Sequence, residues 1–219
     1  MKFLSISAFA LDFSQPEKGL EKIRTSGADF LHMDVMDGKF VPLKGLSDDN
    51  IEWLLRHIDL PADLHIMTCD AQSSIEHYSA LPLNSILFHL GAENEEKTLS
   101  LLKTIREKGF RCGLVISPDL PVERVAPYIA KLDEILLMST LPGEPHSVFL
   151  PAAFERMKAL RALIDNQGAK VQLSVDGGID QEKLALCLQN GADKIVMGRA
   201  FFESEQPAAI ISKVHSDDI

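Results

Sequence analysis

The sequence has little cysteine. Cys69, Cys112 and Cys187 are the only three in 219 residues, and no two stand at metal-ligand spacing. A disulfide-stapled scaffold and a cysteine zinc module are therefore excluded, and a reducing, cytoplasmic setting is expected. Long apolar runs are also missing. The N-terminal Met1-Lys2-Phe3-Leu4-Ser5-Ile6-Ser7 is too short for a signal segment and is interrupted by Asp12. No run approaches a membrane span, so a soluble protein with no membrane partner is expected. Basic residues are scarce, with 22 Lys and Arg against 32 Asp and Glu for a net charge of −10. That balance argues against a nucleic-acid partner. It still permits a local anion site, because backbone amides bind phosphate without net positive charge.

What is present is apolar and evenly punctuated. Hydrophobic residues make up 46% of the chain, enough for a sizeable core. No linker or low-complexity stretch divides the sequence, so a single domain over residues 1–219 is expected. Eight short apolar runs recur: Phe3–Ser7, Phe30–Asp34, Ala62–Met67, Ser85–His89, Cys112–Ser117, Glu134–Met138, Val171–Val175 and Lys194–Met197. Between them lie segments of helical spacing, such as Leu99–Ile105 and Phe154–Ile164. Strands alternating with helices imply crossover units and a parallel sheet. Eight such units in a chain of 219 residues point to an α/β fold, a closed (β/α)8 TIM barrel, with an open doubly wound sheet as the alternative.

Barrel active sites lie at the C-terminal ends of the strands, so the residues ending each run carry the argument. Strand side chains alternate, which puts His32 and Asp34 on one face of the second run, and His65 and Met67 on one face of the third. The seventh run delivers Asp176. Two imidazoles and two carboxylates form a plausible ligand set for Zn²⁺, Fe²⁺, Mn²⁺ or Co²⁺. Ser7 ends the first run and is suited either to a substrate oxygen or to a turn. His89 ends the fourth. Met36, Met67 and Met138 fall at strand ends, where methionine is ordinarily core filler. Cys69 reads as a buried, inert thiol, and His57, His77 and His215 as surface residues. The loops after the seventh and eighth runs hold Gly177-Gly178 and Gly198-Arg199, where glycines allow close approach of phosphate and Arg199 adds charge.

These residues resemble a known family. His32-Met33-Asp34-Val35-Met36-Asp37-Gly38-Lys39-Phe40-Val41-Pro42 is similar to the ribulose-phosphate 3-epimerase signature H-x-D-V-M-D-G-x-F-V-P. Asp63-Leu64-His65-Ile66-Met67 resembles D-x-H-[LM]-M, and Val175-Asp176-Gly177-Gly178 resembles V-D-G-G. The resemblance extends over nearly the whole chain. It implies a metal-dependent epimerase of a ketose phosphate: D-ribulose 5-phosphate to D-xylulose 5-phosphate, or a related pentulose or hexulose phosphate. His32, Asp34, His65 and Asp176 would hold one divalent metal, zinc foremost. Asp34 and Asp176 would be the paired acid and base, Ser7 and His65 would touch substrate, and Met36, Met67 and Met138 would form a cluster near the reacting carbons. A homo-oligomer in the pentose phosphate pathway is implied as well.

The chain departs from the family pattern around the substrate. The loop after the sixth run usually reads P-G-F-G-G-Q; here it is Pro142-Gly143-Glu144-Pro145-His146-Ser147. The usual G-[ST]-A is Gly198-Arg199-Ala200, and the usual asparagine after F-V-P is Leu43. Gly143, His146 and Arg199 are therefore expected at the anion end of a substrate. Two other classes compete with an epimerase. A catalytic lysine ending a strand would favour an aldolase or decarboxylase, but Lys194 begins one. A non-catalytic sugar-phosphate sensor would have no need of paired aspartates.

Overall fold

The computed structural model describes residues 1–144 and 148–216. Eight parallel strands close into a barrel in chain order: β1 (Phe3–Ser7), β2 (Phe30–Met36), β3 (Ala62–Met67), β4 (Ser85–His89), β5 (Arg111–Ile116), β6 (Glu134–Met138), β7 (Gln172–Asp176) and β8 (Lys194–Met197). Closure is made by β8 on β1, with Phe3 opposite Lys194 and Ser5 opposite Val196. That closure establishes the (β/α)8 barrel and removes the open-sheet alternative.

The helices are α1 (Pro16–Ser26), α2 (Asp48–His57), α3 (Ala71–Tyr78), α4 (Glu95–Glu107), α5 (Ala152–Asn166), α6 (Gln181–Gln189), α7 (Arg199–Glu203) and α8 (Pro207–His215). Their ends follow local chemistry. Ser47, Asp70, Asn94 and Asp180 accept hydrogen bonds from first-turn amides, and Gly27 ends α1 at φ 81°. No helix among the described residues is long and apolar enough to cross a membrane. One crossover lacks an α-helix: β5 is followed only by 3-10 turns at Val122–Val125 and Ile129–Lys131. Pro118, Pro121 and Pro127 account for this, since each removes an amide donor and crowds the preceding turn.

Strand alternation sorts the side chains into two populations. One parity, including Leu4, Ile6, Leu31, Met33, Leu64, Ile135 and Ile195, joins the large apolar layer under the helices. The other points into the lumen. There Leu87, Val115, Leu136, Met138 and Val196 form a separate apolar cluster.

At the strand starts the lumen is ionic. Lys194 Nζ donates to Asp63 Oδ2 at 2.7 Å and to Glu134 Oε2 at 2.8 Å. β3, β6 and β8 are not neighbours, so these bonds cross the barrel. Ser85 and Asn84 donate to Asp63, Ser174 donates to Glu134, and Lys194 lies 4.8 Å from the Phe30 ring centroid. All three charged residues have 0% exposure. Burial favours a protonated Asp63, but Lys194 and the donors around it outweigh burial and hold the carboxyl below its ordinary 3.8.

Removing one member of a buried pair strands the other, at about 3–5 kcal/mol. Lys194→Met is therefore expected to lower the urea-unfolding free energy by about that amount at neutral pH. A carboxylate with a depressed folded pKa contributes stability above its unfolded value and loses it as pH falls. The gap between wild type and Lys194→Met should narrow below about pH 4. A gap under about 1 kcal/mol, or one indifferent to pH, would contradict this reading of the floor.

Candidate active site

The opposite end of the lumen is polar, and among the described residues no lysine or arginine pairs with its carboxylates. β2 and β3 pair with Asp34 opposite His65 and Met36 opposite Met67. This register brings His65 Nδ1 to 3.0 Å from Asp34 Oδ1. His32 lies one inward step before Asp34, and its Nε2 lies 3.3 Å from Asp34 Oδ1 and 3.4 Å from His65 Nδ1. Asp176, at the end of β7, reaches to 3.8 Å from His32 Nε2 through Oδ2. One ligand atom from each of these four residues lies within 4.8 Å of all the others. Ligand atoms about 2.0–2.2 Å from one ion sit about 3.0–3.6 Å apart, and three of these four contacts fall in that window. The residues thus fit a divalent cation in both chemistry and spacing.

The backbone around Asp34 is fixed by the loop that follows β2. Leu46 N donates to Asp34 O at 2.9 Å, and Gly45 N to Met36 O at 3.1 Å. A Cβ on Gly45 would lie 2.4 Å from both Asp34 O and Met36 N, so glycine is required for this return. Ser7 Oγ donates to Asp34 Oδ2 at 3.1 Å and makes no capping bond.

The two carboxyls are driven apart in acidity. Burial opposes ionisation of Asp34, but His32 and His65 prevail and hold it ionised far below the usual range. Burial raises Asp176 to about 6; the Asp34 charge adds to the rise, and His32 and His65 oppose it. His32 is depressed by burial yet lifted to about 9 by Asp34, Asp176 and Asp63. Its Nδ1 is buried without a hydrogen-bond partner. Carboxyls whose acidities are pushed in opposite directions suit one to accept a proton and the other to give one.

A cavity of about 790 Å³ opens beside this cluster. Ser7, Asp176, Gly178, Gly198 and Arg199 line it. Asp34 does not; it meets the cavity through its partner Ser7.

The chain matches the ribulose-phosphate 3 epimerase family over residues 3–202. It is 32% identical to the ribulose-phosphate 3-epimerase of Buchnera aphidicola over 214 residues, covering 97% of this chain and 92% of that one. The same identity holds to the Escherichia coli K12 ribulose-phosphate 3-epimerase, over 96% of this chain and 93% of that one. This chain belongs to the ribulose-phosphate 3 epimerase family. It is accordingly an enzyme of the carbohydrate epimerase type. A solved structure of KGPDC from Streptococcus mutans shares the fold alone, with TM-score 0.71 at 11% identity over 99% of this chain and 100% of that one.

Within this family member the remaining expected residues divide. Gly177 and Gly178 have φ 117° and 62°, where only glycine is unstrained. Gly143, at φ 64°, packs so closely on Val41 that a Cβ would lie 2.3 Å away, joining the loops after β6 and β2. Arg199 is exposed at the start of α7. His146 lies outside the described residues. Met36 and Met67 are cross-strand partners, whereas Met138 pairs with Asp176 on the far side and joins the lumen apolar cluster. Cys69 is a correction: it is exposed, because β3 ends at Met67 and the thiol already stands in the following loop. His57, His77 and His215 are on the surface as expected; His77 and His215 pair with Asp48 and Asp29.

Two residues carry more than the sequence reading gave them. Lys183, on α6, lines the cavity and pairs with Asp180. His89 Nε2 lies 2.9 Å from His65 Nε2. The sequence places His89 at the end of the fourth run, and alternation along β4 turns it to the lumen two residues after Leu87.

A Cβ on Gly177 would lie 2.3 Å from Thr140 Oγ1. Gly177→Ala is expected to destabilise by about 1–3 kcal/mol through clash and positive φ. Adding Thr140→Ala should recover part of that loss in denaturant melts, and a fully additive double variant would refute the clash.

Proposed function

We propose that this protein is a 3-epimerase of a ketose phosphate, interconverting D-ribulose 5-phosphate and D-xylulose 5-phosphate, with Asp34 and Asp176 moving the proton at C3. The observation that carries this is the meeting of His32, Asp34, His65 and Asp176 at one lumen-facing point in a chain of this family. Those four residues would hold one divalent cation, zinc foremost by donor type, with iron, manganese and cobalt also compatible. Bound there, the ion would act as a Lewis acid toward the negative charge that develops on the substrate oxygens.

The protein's own groups do the proton chemistry. Inversion at C3 next to a C2 carbonyl breaks one C–H bond and remakes it on the opposite face. Asp34, held ionised, takes the proton; the electron pair passes into the enediolate. Asp176 supplies a proton from the other side. In the reverse direction the two exchange roles. Ser7, donating to Asp34 and standing on the cavity wall, orients the base and meets a substrate oxygen. His65 contacts substrate only through the cation site, since it is fully buried. The phosphate end lies along Gly177, Gly178 and Gly198, with Arg199 supplying positive charge. Gly143 packs the start of the loop after β6 against Val41 of the loop after β2. The barrel is read as one catalytic domain.

The test is deuterium incorporation at C3 from D₂O, screened over pentulose and hexulose phosphates. Wild type should label D-ribulose 5-phosphate and D-xylulose 5-phosphate. Asp34→Asn and Asp176→Asn should each lose about 10²–10⁴ in interconversion, with residual exchange confined to one epimer and opposite in the two variants. Full interconversion in either variant would refute its assigned role.

A further inference from the structure

His65 has two faces. Its Nδ1 points to Asp34 Oδ1 and His32 Nε2, and its Nε2 points away from the cluster to His89 Nε2 at 2.9 Å. The contact continues: His89 Nδ1 lies 2.8 Å from Ser117 Oγ at the end of β5. The two imidazoles are stacked, with centroids 5.1 Å apart and planes 20° from parallel. His89 is 2% exposed, and the Phe40 ring stands 5.1 Å from it. Phe40 is in turn tied down by its amide, which donates to Asp37 Oδ1 at 2.7 Å. Arg156 Nη2 donates to the Ser117 carbonyl at 2.9 Å and fixes the far end.

We infer that His89 and Ser117 are positioning residues that hold His65 as its Nε2–H tautomer, so that the Nδ1 lone pair is presented to the cation. This rests on the metal reading above. A contact between two ring nitrogens accommodates one hydrogen. A His65 whose Nδ1 binds a cation must carry its hydrogen on Nε2, and it donates that hydrogen to His89 Nε2. His89 then carries its own hydrogen on Nδ1 and donates it to Ser117 Oγ. The chain works only with neutral His89. A second hydrogen on His89 Nε2 would face the one that His65 places in the 2.9 Å contact, and His89 is 2% exposed, so no water takes the place of either partner. An imidazole serves here because it accepts on one side and donates on the other across the gap between β3 and β5.

The variants are His89→Phe, which keeps the ring stack without nitrogen, and His89→Gln, which keeps an acceptor and a donor. Zinc affinity of the metal-stripped full chain is measured by competition with a chromophoric chelator, alongside thermal melts. Nitrogen-15 NMR of the zinc-loaded protein reads the ring tautomers. His89→Phe is expected to weaken zinc binding about 10–100-fold, and His89→Gln to restore most of it. Wild type should show the hydrogen of His65 on Nε2 and that of His89 on Nδ1, with the His89 signal exchanging faster in Ser117→Ala. Equal zinc affinity in wild type and His89→Phe, or His65 carrying its hydrogen on Nδ1, would overturn the inference while leaving the metal site standing. Wild type that binds no zinc would overturn both, and that result is distinct because it precedes any variant. Should His89→Phe not fold, His89→Gln and Ser117→Ala still decide through the tautomer signals.

Discussion

The closed register of the parallel barrel is the constraint on which everything else depends. A strand side chain faces either the lumen or the helices, and closure fixes which residue of each strand stands beside which residue of the next. Asp34 meets His65 because β2 and β3 pair at that register; a slip of β2 by one residue would turn Asp34 toward the helices and bring Met33 or Val35 inward. Lys194 meets Asp63 and Glu134 for the same reason. The outward parity is almost wholly apolar, so the helix layer resists any such slip.

The two ends of the lumen solve one electrostatic problem in different ways. Carboxylates at both ends are removed from water, which disfavours their charge. At the floor the chain supplies its own cation, and Lys194 pairs with both Asp63 and Glu134. At the mouth, among the described residues, no lysine or arginine reaches Asp34 or Asp176; the charged partners beside them are imidazoles, and Ser7 adds a neutral donor to Asp34. His32 is pushed to about 9 and Asp176 to about 6, shifts that measure how poorly the protein by itself balances this end. A site so arranged favours an incoming positive ion, and the same surroundings push the acidities of the two carboxyls in opposite directions.

Much of this is readable in the sequence because strand alternation and strand-end polarity are local signals. Five strands match their apolar runs residue for residue, and β2 outruns its own by two because Met36 pairs with Met67 and the loop after it folds back through Gly45. The four clustered residues follow from the same alternation. What stays hidden depends on register across several strands or on loops. The bond between His65 and His89 needs the β3–β4 pairing, and the contact of Lys194 with Glu134 needs closure of the ring. Cys69 misleads because the lack of an activating base in the sequence suggests a buried, inert thiol, while the strand ends two residues earlier and the polar Thr68 and Asp70 flank it. The missing helix after β5 is written in its prolines, but apolar spacing around them still looks helical.

The most direct test of the central claim is anomalous X-ray diffraction from crystals of the protein loaded with zinc. The account requires one strong peak per chain, about 2.0–2.2 Å from atoms of His32, Asp34, His65 and Asp176. A peak elsewhere on the surface with none among these four side chains would contradict it.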